Sequence, residues 1–265
     1  MGWLKVVGTG IRIGHLTFEA QCAIQTADVV FSVVTDRLGK AMLDDNNPNV
    51  VDLCRFYALE KERAVTYREM ADEVLGAVRA GKRVCFAIYG HPSVFAYPSR
   101  LALDTAREEG YPVEILPGIS SLDSLFCDLE IDPAVHGCQV YCATALVYEN
   151  RALDSRSVLT IWQAAIIGES RAMEKGDADC YQRLCNRLIS VYGADHPVIL
   201  YEAATNPFFD PDMCTIPLSD LESTKLRPYC TLVVPPIHCP DLVKIPLATK
   251  PATWVTMPSE VIVPG

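Results

Sequence analysis

Short apolar runs alternate with longer amphipathic stretches along residues 1–117, a pattern typical of strands followed by helices. The apolar runs predict five strands, over Trp3–Val7, Asp28–Val34, Asn49–Leu53, Val84–Ile88 and Val113–Leu116. The amphipathic stretches predict three helices, over Phe18–Thr26, Ala58–Ala80 and Pro98–Gly110. Because the fourth strand is apolar throughout, we expect it to be central and parallel. The pattern predicts an N-terminal α/β lobe over residues 1–117.

The helix predicted over Ala58–Ala80 has the clearest helical period. Its apolar positions recur along one face, at Val65, Met70, Val74, Leu75 and Val78. Gly81 follows and suits a C-terminal cap, because glycine readily adopts the left-handed conformation that ends many helices. We therefore expect Tyr57 to lie at the entry of this helix.

The second half of the chain predicts another α/β lobe, over residues 118–237. Its apolar runs predict four strands, over Val140–Ala143, Val158–Trp162, Val198–Tyr201 and Thr231–Val234. We expect the last two strands to form part of a sheet that contains antiparallel pairs. A helix is predicted over Tyr181–Tyr192, and the joint between the lobes near Pro117–Ser121. Prolines interrupt residues 238–265, which predicts an extended tail.

Composition narrows the class of protein. The chain has 265 residues, of which 50% are hydrophobic, enough for two compact lobes. Its formal net charge of −10 argues against nucleic acid as a partner, because such binding depends on positive charge. No apolar run reaches membrane-spanning length, and the N-terminus lacks a signal-peptide pattern. We expect a cytoplasmic protein with no membrane partner.

The 11 cysteines favour a reducing compartment. Their number is odd, no CxxC pair occurs, and most lie in apolar runs, so they are predicted to be reduced core residues. A zinc site is one possible interpretation of three residues that are close in sequence, Cys138, Cys142 and His136. No fourth ligand accompanies them, and we expect no metal site.

The segment Tyr57–Tyr67 carries the most chemistry in the shortest length. Arg63 and Tyr67 are four residues apart and share a helix face, toward which Tyr57 can fold back. A guanidinium beside two hydroxyls is able to hold an amide oxygen and accept the proton of an amide nitrogen. The same spacing also fits an ordinary amphipathic surface helix with a snorkelling arginine.

Glycine-containing loops follow three of the predicted strands in the first lobe. Gly8-Thr9-Gly10 with Gly14 reads GxGxxxG, which departs from the dinucleotide fingerprint. Tyr89-Gly90-His91-Pro92 follows the central strand, and Pro117–Ser121 follows the fifth. Each loop alone also fits a plain turn, and His91 also fits a histidine bonded to nearby backbone. Together they indicate a ligand site at the strand ends, where open α/β sheets bind ligands.

The second lobe repeats this arrangement with different side chains. Trp162-Gln163, Tyr201-Glu202-Ala203 and Thr231-Leu232 each fall at a predicted strand end. Their shared position, together with the loops of the first lobe, predicts a cleft between lobes.

Taken in order, these loops resemble the tetrapyrrole methylase superfamily, whose members use S-adenosylmethionine. The matching pieces are Val7-Gly8-Thr9-Gly10, Tyr89-Gly90-His91-Pro92, Pro117-Gly118-Ile119-Ser120 and Asp128-Leu129. The resemblance extends to about Pro236 and implies a two-lobed α/β fold with the cofactor, S-adenosyl-L-methionine, in the cleft between lobes. The cofactor-binding residues implied are Gly10, Tyr89, Gly90, His91, Val94, Phe95, Ser120, Ser121, Gln163, Tyr201, Glu202, Ala203 and Thr231.

The Tyr57, Arg63 and Tyr67 triplet narrows the resemblance to the borosin peptide backbone α-N-methyltransferases, as do Trp162-Gln163 and Tyr201–Ala203. The resemblance implies that these three residues and Tyr89 are catalytic, with Arg63 on the amide oxygen and Tyr67 as the candidate base. Which tyrosine is the base stays open. Ser93 departs from the family pattern, because a glycine usually follows the His-Pro pair.

The resemblance also implies a homodimer that methylates backbone amides of a ribosomally made peptide. The sequence ends at Gly265 without room for the helical clasp of the fused fungal members. It is therefore more similar to the bacterial split systems, which bind a separate precursor peptide in trans, with a heterotetramer of two enzymes and two peptides as the fuller assembly. The apolar segment 252–263 raises self-methylation as an alternative, although surface wrapping explains it more simply.

Two rival functions remain open. A tetrapyrrole C-methyltransferase of cobalamin or sirohaem biosynthesis shares the fold and cofactor but takes a large polyanion, which the acidic balance of this chain disfavours. A binding or scaffold protein without catalysis also keeps the fold, since fold does not fix function. Stabilisation by S-adenosylmethionine separates a cofactor binder from a scaffold.

Overall fold

The computed structural model describes residues 2–171, 175–239 and 242. Contacts divide the chain into two compact units, each with a five-stranded sheet. The first unit contains Met1–Ser124 and Ala204–Asp210, and the second contains Leu125–Ala203 and the described residues from Pro211 onward. The predicted two-lobed α/β fold class is confirmed. The stretch of the first unit that ends at Ser124 includes Gly118, which packs against Gly8, and the predicted lobe boundary after residue 117 stays a prediction.

The first unit alternates strands with helices. Its strands are β1 (Trp3–Gly8), β2 (Val29–Val33), β3 (Val50–Asp52), β4 (Arg83–Ile88) and β5 (Val113–Leu116). Its helices are α1 (Phe18–Thr26), α2 (Arg37–Asn46), α3 (Arg63–Arg79) and α4 (Tyr97–Glu108), and α5 (Ser121–Asp128) begins in it. A short 3-10 helix over Leu53–Phe56 connects β3 to the segment before α3.

The sheet of the first unit is parallel, with strand order β3-β2-β4-β1-β5. As predicted, β4 is central, and it is buried from Val84 onward. One apolar cluster joins the sheet to α3 and α4, and another joins it to α1 and α2. Helices therefore cover both faces of the sheet. The chain crosses the sheet in one direction from β1 to β3 and in the opposite direction from β3 through β4 to β5. Right-handed crossovers then put the helices of the two halves on opposite faces.

The second unit has a mixed sheet. Its strands are β6 (Cys138–Cys142), β7 (Val158–Trp162), β8 (Pro197–Glu202), β9 (Asp212–Pro217) and β10 (Thr231–Val234), in the order β6-β7-β10-β8-β9. Its helices are α6 (Pro133–His136), α7 (Ala143–Tyr148), α8 (Ala178–Tyr192) and α9 (Leu218–Leu221). β6 and β7 are parallel, whereas β10 runs antiparallel to both β7 and β8, which confirms the expected antiparallel pairs.

The structure corrects the predicted start of the long helix. α3 begins at Arg63 rather than at Ala58, because Glu60 has a φ of 61° and interrupts the helical path. Tyr57 therefore lies on the segment before the helix instead of at its entry. Val65, predicted to be part of the apolar face, is 44% exposed, and Thr66 takes the buried position beside it.

Most of the tail predicted over 238–265 lies outside the described residues, which include only His238, Cys239 and Leu242 of it. The candidate self-methylation segment 252–263 also lies outside them. Among the helices that the structure describes, none has the length and apolar character to cross a membrane.

Candidate active site

Glycines from three chain segments form a backbone joint at the carboxyl edge of the first sheet. Gly10 and Gly90 pair as an isolated antiparallel bridge, with N–H···O distances of 3.1 and 2.9 Å. A Cβ added to Gly118 would lie 2.6 Å from the Gly90 oxygen and 2.8 Å from the Gly8 Cα, closer than side chains tolerate. The segments at the ends of β1, β4 and β5 therefore approach one another closely at these glycines, and the ring of Pro92 also lies against Gly8. Ligands bind at such carboxyl edges in open α/β sheets.

The loop after β4 is held by its own hydrogen bonds. The Ser93 amide donates to His91 Nδ1 at 3.0 Å, and the Val94 amide donates to the His91 carbonyl at 3.0 Å. The His91 ring thus accepts a hydrogen bond from nearby backbone, which is the alternative to a ligand contact that the sequence left open. Phe95 has a φ of 56°, an unusual value for a bulky residue that marks backbone strain in this loop.

The hydroxyl of Ser120 caps α5. The Ser120 amide and the Ser120 hydroxyl both donate to Asp123 Oδ2 at 2.7 Å, and the Asp123 amide donates back to the Ser120 hydroxyl at 3.2 Å. This is a reciprocal capping pair, with Ser120 buried and Ser121 as the first helical residue. The structure thus assigns the Ser120 side chain a structural contact, while its backbone lies at the carboxyl edge of β5.

Three phenols meet at the start of α3. The ring centroids of Tyr57 and Tyr67 lie 6.4 Å apart with planes at 89°, so Tyr57 reaches the helix from the segment before it. Tyr67 also contacts Tyr97, with ring centroids 6.0 Å apart and planes at 48°. Arg63 lies one turn before Tyr67 on the same helix. The sequence spacing predicts Tyr57, Arg63 and Tyr67 as a group but misses Tyr97. That residue belongs to α4, and its apolar neighbours in the sequence give no sign of the contact with Tyr67.

Burial gives Tyr57 a distinct acidity. Desolvation raises the pKa of its phenol above the ordinary value, and closeness to Tyr67 and a hydrogen bond with it raise the pKa further. The positive charge of Arg63 opposes these effects but is smaller. Tyr57 therefore stays protonated at neutral pH and is available as a hydrogen-bond donor.

The predicted residues of the second unit collect at one edge of its sheet. Thr231 opens β10 opposite Tyr201 near the end of β8, and Leu232 pairs with Ile161 near the end of β7. Gln163 follows β7 with a left-handed φ of 59°. Glu202 is the last residue of β8, and Ala203 follows it. The structure brings these positions together within the unit, as their shared placement at strand ends predicts.

Two of these side chains already have internal partners. The buried Tyr201 hydroxyl donates to Asp128 Oδ2 at 2.7 Å, joining two of the recognised sequence motifs. Arg227 Nε donates to Glu202 Oε1 at 2.9 Å and a second nitrogen pairs with Asp212. Burial raises the pKa of Glu202, while the Arg227 charge lowers it. Among the described residues, no group of three or more His, Cys, Asp or Glu side chains is placed to hold a metal ion.

Comparison with known families gives a match over most of the chain. The model of the tetrapyrrole (corrin/porphyrin) methylases matches residues 4–217. The crystal structure of a uroporphyrin-III-C-methyltransferase from Thermus thermophilus has a TM-score of 0.62 and covers 94% of this chain and 98% of its own. Its sequence identity is 20%, so this likeness establishes the fold alone.

Sequence relatives are more similar to this chain. A methyltransferase/ribosomally synthesized type I borosin cyclic peptide precursor from Coprinopsis marcescibilis is 40% identical over 89% of this chain and 62% of its own length. A type III borosin precursor of the same description from Anomoporia bombycina is 45% identical over 78% of this chain and 24% of its own length. The chain thus spans 24% to 62% of these relatives. They are fused fungal proteins, not the split bacterial type that the sequence resemblance predicted.

Proposed function

The chain belongs to the tetrapyrrole (corrin/porphyrin) methylase family, and from that premise we propose that it methylates backbone amide nitrogens of a ribosomally made peptide. The observation that carries this proposal is the meeting of Tyr57 and Tyr67 beside Arg63 at the start of α3. The borosin relatives support it, because their names join a methyltransferase to a cyclic peptide precursor.

S-Adenosylmethionine is the proposed cofactor, and it supplies an electrophilic methyl group on a sulfonium when bound. The backbone joint of Gly8, Gly90 and Gly118 fits such a ligand, because these three residues contribute backbone and no side chain of their own at the carboxyl edge of a parallel sheet. Gly10, the loop from Tyr89 to Phe95 and the backbone of Ser120 and Ser121 line this edge. The family resemblance assigns Gln163, Tyr201, Glu202, Ala203 and Thr231 of the second unit to cofactor binding, and we keep that assignment as part of the proposal.

An amide nitrogen needs help to react, because its lone pair is delocalised into the carbonyl. We propose that Arg63 donates to the amide oxygen and stabilises the negative charge that develops there, an effect of about 3 kcal/mol for a good donor. Tyr67, acting as its phenolate, would take the proton that the amide nitrogen loses when it receives the methyl group. Tyr57 donates to the Tyr67 oxygen, consistent with the burial that keeps it protonated. Tyr89 borders the reacting methyl.

The central experiment is mass spectrometry of the purified chain with S-adenosylmethionine and the precursor region of the C. marcescibilis relative as a separate peptide. We expect gains of 14 Da that fragment spectra assign to backbone nitrogens. Tyr67→Phe serves as the matched variant, because it removes one hydroxyl and keeps the ring. A methyl group found on uroporphyrinogen III in a parallel reaction, with none on the peptide, would establish the C-methyltransferase alternative.

The source of the natural peptide is a separate question. The relatives' names join enzyme and precursor, whereas the sequence resemblance predicted a precursor in trans. Intact mass after incubation with cofactor alone distinguishes the two. Gains of 14 Da on this chain, mapped to 252–263, would overturn the trans prediction.

We also propose a homodimer in the cytoplasm, in keeping with the family resemblance. The segment Ala204–Asp210 presents Phe208 and Phe209 with 88% and 68% of their surfaces exposed, which is unusual for adjacent aromatic side chains. Light scattering of the purified chain should give twice the mass of 29.2 kDa. A single 29.2 kDa species at micromolar concentration would refute the dimer.

A further inference from the structure

Tyr67 is in contact with two other tyrosine rings. Tyr57 meets it nearly perpendicularly, and Tyr97 lies against it with centroids 6.0 Å apart at 48°. Both distances fall within the range in which aromatic pairs attract each other. Tyr57 and Tyr67 pack against the apolar core beneath α3, whereas Tyr97 is 58% exposed. Tyr97 is therefore the solvent-side neighbour of the candidate base.

The backbone that carries Tyr97 is firmly anchored. Tyr97 is the first residue of α4, and the buried Pro98 and Ser99 follow it. The Ser99 hydroxyl lies 2.6 Å from the Pro92 carbonyl and 2.7 Å from the Ala96 carbonyl, so it ties the end of the loop to its beginning. With the backbone fixed, the Tyr97 ring is a stable surface for a neighbour to rest against.

We propose that Tyr97 is a positioning residue, which limits the rotamers of Tyr67 and keeps its phenol oxygen directed at the amide that loses its proton. The inference rests on the proposed function for its last step. A tyrosine on a helix surface otherwise samples more than one staggered rotamer. The contact with Tyr97 adds an attraction that favours the arrangement of the Tyr67 ring in which the two rings meet. The ring of Tyr97, rather than its hydroxyl, does this.

The kinetic test compares Tyr97→Ala with Tyr97→Phe, using the C. marcescibilis precursor region as the peptide. Tyr97→Ala should lower kcat about threefold to tenfold and change KM less than about twofold, because a misdirected base slows the step after binding. Tyr97→Phe keeps the ring and should restore kcat to within about twofold. A raised KM with unchanged kcat would make Tyr97 a substrate contact and overturn the proposal. Equal loss in both variants would assign the effect to the hydroxyl and also overturn it.

A second readout needs no turnover. In protein with ring-¹³C tyrosine, the Tyr67 resonances are identified by their absence in Tyr67→Phe. They should move in Tyr97→Ala and stay near their wild-type positions in Tyr97→Phe. Tyr229→Ala, which removes a 78% exposed tyrosine of the second unit, is the control that leaves them unchanged. Unmoved resonances in Tyr97→Ala would overturn the proposal. If the resonances move in Tyr97→Ala but the wild-type protein methylates no peptide, the contact stands and the proposed function alone is refuted.

Discussion

Tyr57 and Tyr67 carry the same phenol in different surroundings, and the surroundings separate their roles. Burial raises the pKa of Tyr57, and a second phenol beside it strengthens the effect, because two neighbouring hydroxyls do not readily ionise together. Burial of the Tyr57 phenol favours it as a hydrogen-bond donor, and the proposed mechanism assigns the accepting role to Tyr67. Sequence spacing left open which tyrosine is the base, and the assignment to Tyr67 stays a prediction that single substitutions test.

Removing each hydroxyl in turn tests the assignment. Tyr67→Phe should lower turnover by about 10²-fold or more, because it removes the proton acceptor. Tyr57→Phe should lower it by about tenfold, the effect of one lost hydrogen bond to a charged group. Both variants keep their ring contacts and should unfold at wild-type urea concentrations. Equal turnover in Tyr67→Phe and wild type would reduce the triplet to an ordinary helix face.

The glycine joint gives a second prediction for single residues. Gly118→Ala places a methyl group against two backbone segments, the Gly90 carbonyl and the Gly8 Cα, and neither rotates away. We expect a loss of about 1–3 kcal/mol in the free energy of unfolding. The thermal shift caused by S-adenosylmethionine should shrink as well, because the binding loops separate. Gly76→Ala is the control, since nothing lies within 4 Å of its added Cβ. An unchanged thermal shift in Gly118→Ala would remove the joint from the cofactor site.

At the scale of elements, uniform apolar runs were the most predictable. β5, β7 and β10 have the bounds that the sequence predicts. β7 and β10 are short, apolar and almost entirely buried, whereas β5 includes the exposed Glu114 and is only partly buried. α2 and β9 were missed, since their polar residues and neighbouring turns hide their periodicity. The early start predicted for α3 has the same origin, because a positive φ at Glu60 has no signature in hydrophobic pattern. Contacts between elements, such as Tyr67 with Tyr97, were beyond any local pattern.

The end of α3 supports a prediction with opposite signs at two glycines. The Gly81 amide donates to the Val78 carbonyl at 2.9 Å and the Lys82 amide to the Ala77 carbonyl at 3.2 Å, which is a Schellman cap. Gly81 has a φ of 84°, so Gly81→Ala should cost about 1 kcal/mol of stability. Gly76→Ala, inside the same helix, should add up to about 1 kcal/mol. Neither added Cβ meets another atom within 4 Å, so urea unfolding of the two variants isolates the backbone effect. Destabilisation by both would contradict it.

At the scale of the whole molecule, both units bury free thiols. Six of the 11 cysteines are buried, in line with the prediction that most are core residues, and their reduced state stays a prediction. Burial raises the pKa of Cys54 and Cys85 in the first unit, and of Cys185 in the second, to about 12. Because the pKa of these thiols differs between the folded and unfolded states, the free energy of unfolding depends on pH in the alkaline range.

The sign of that coupling follows from the two states. An unfolded thiol releases its proton near its ordinary pKa of 9.0, whereas the folded Cys85 thiol holds it until about 12. Between these values the unfolded state binds fewer protons, so stability falls as pH rises, by at most about 1.4 kcal/mol per pH unit for each thiol. Urea midpoints measured in reducing buffer should therefore be constant from pH 7 to 8 and decrease above pH 9. Cys85→Ala should reduce the decrease, whereas Cys22→Ala, at an exposed site, should leave it as in the wild type. An unaltered decrease in Cys85→Ala would show that burial of this thiol does not set the alkaline limit, and would shift the cause to the other groups whose pKa burial raises, such as the Cys54 and Cys185 thiols and the Tyr57 phenol.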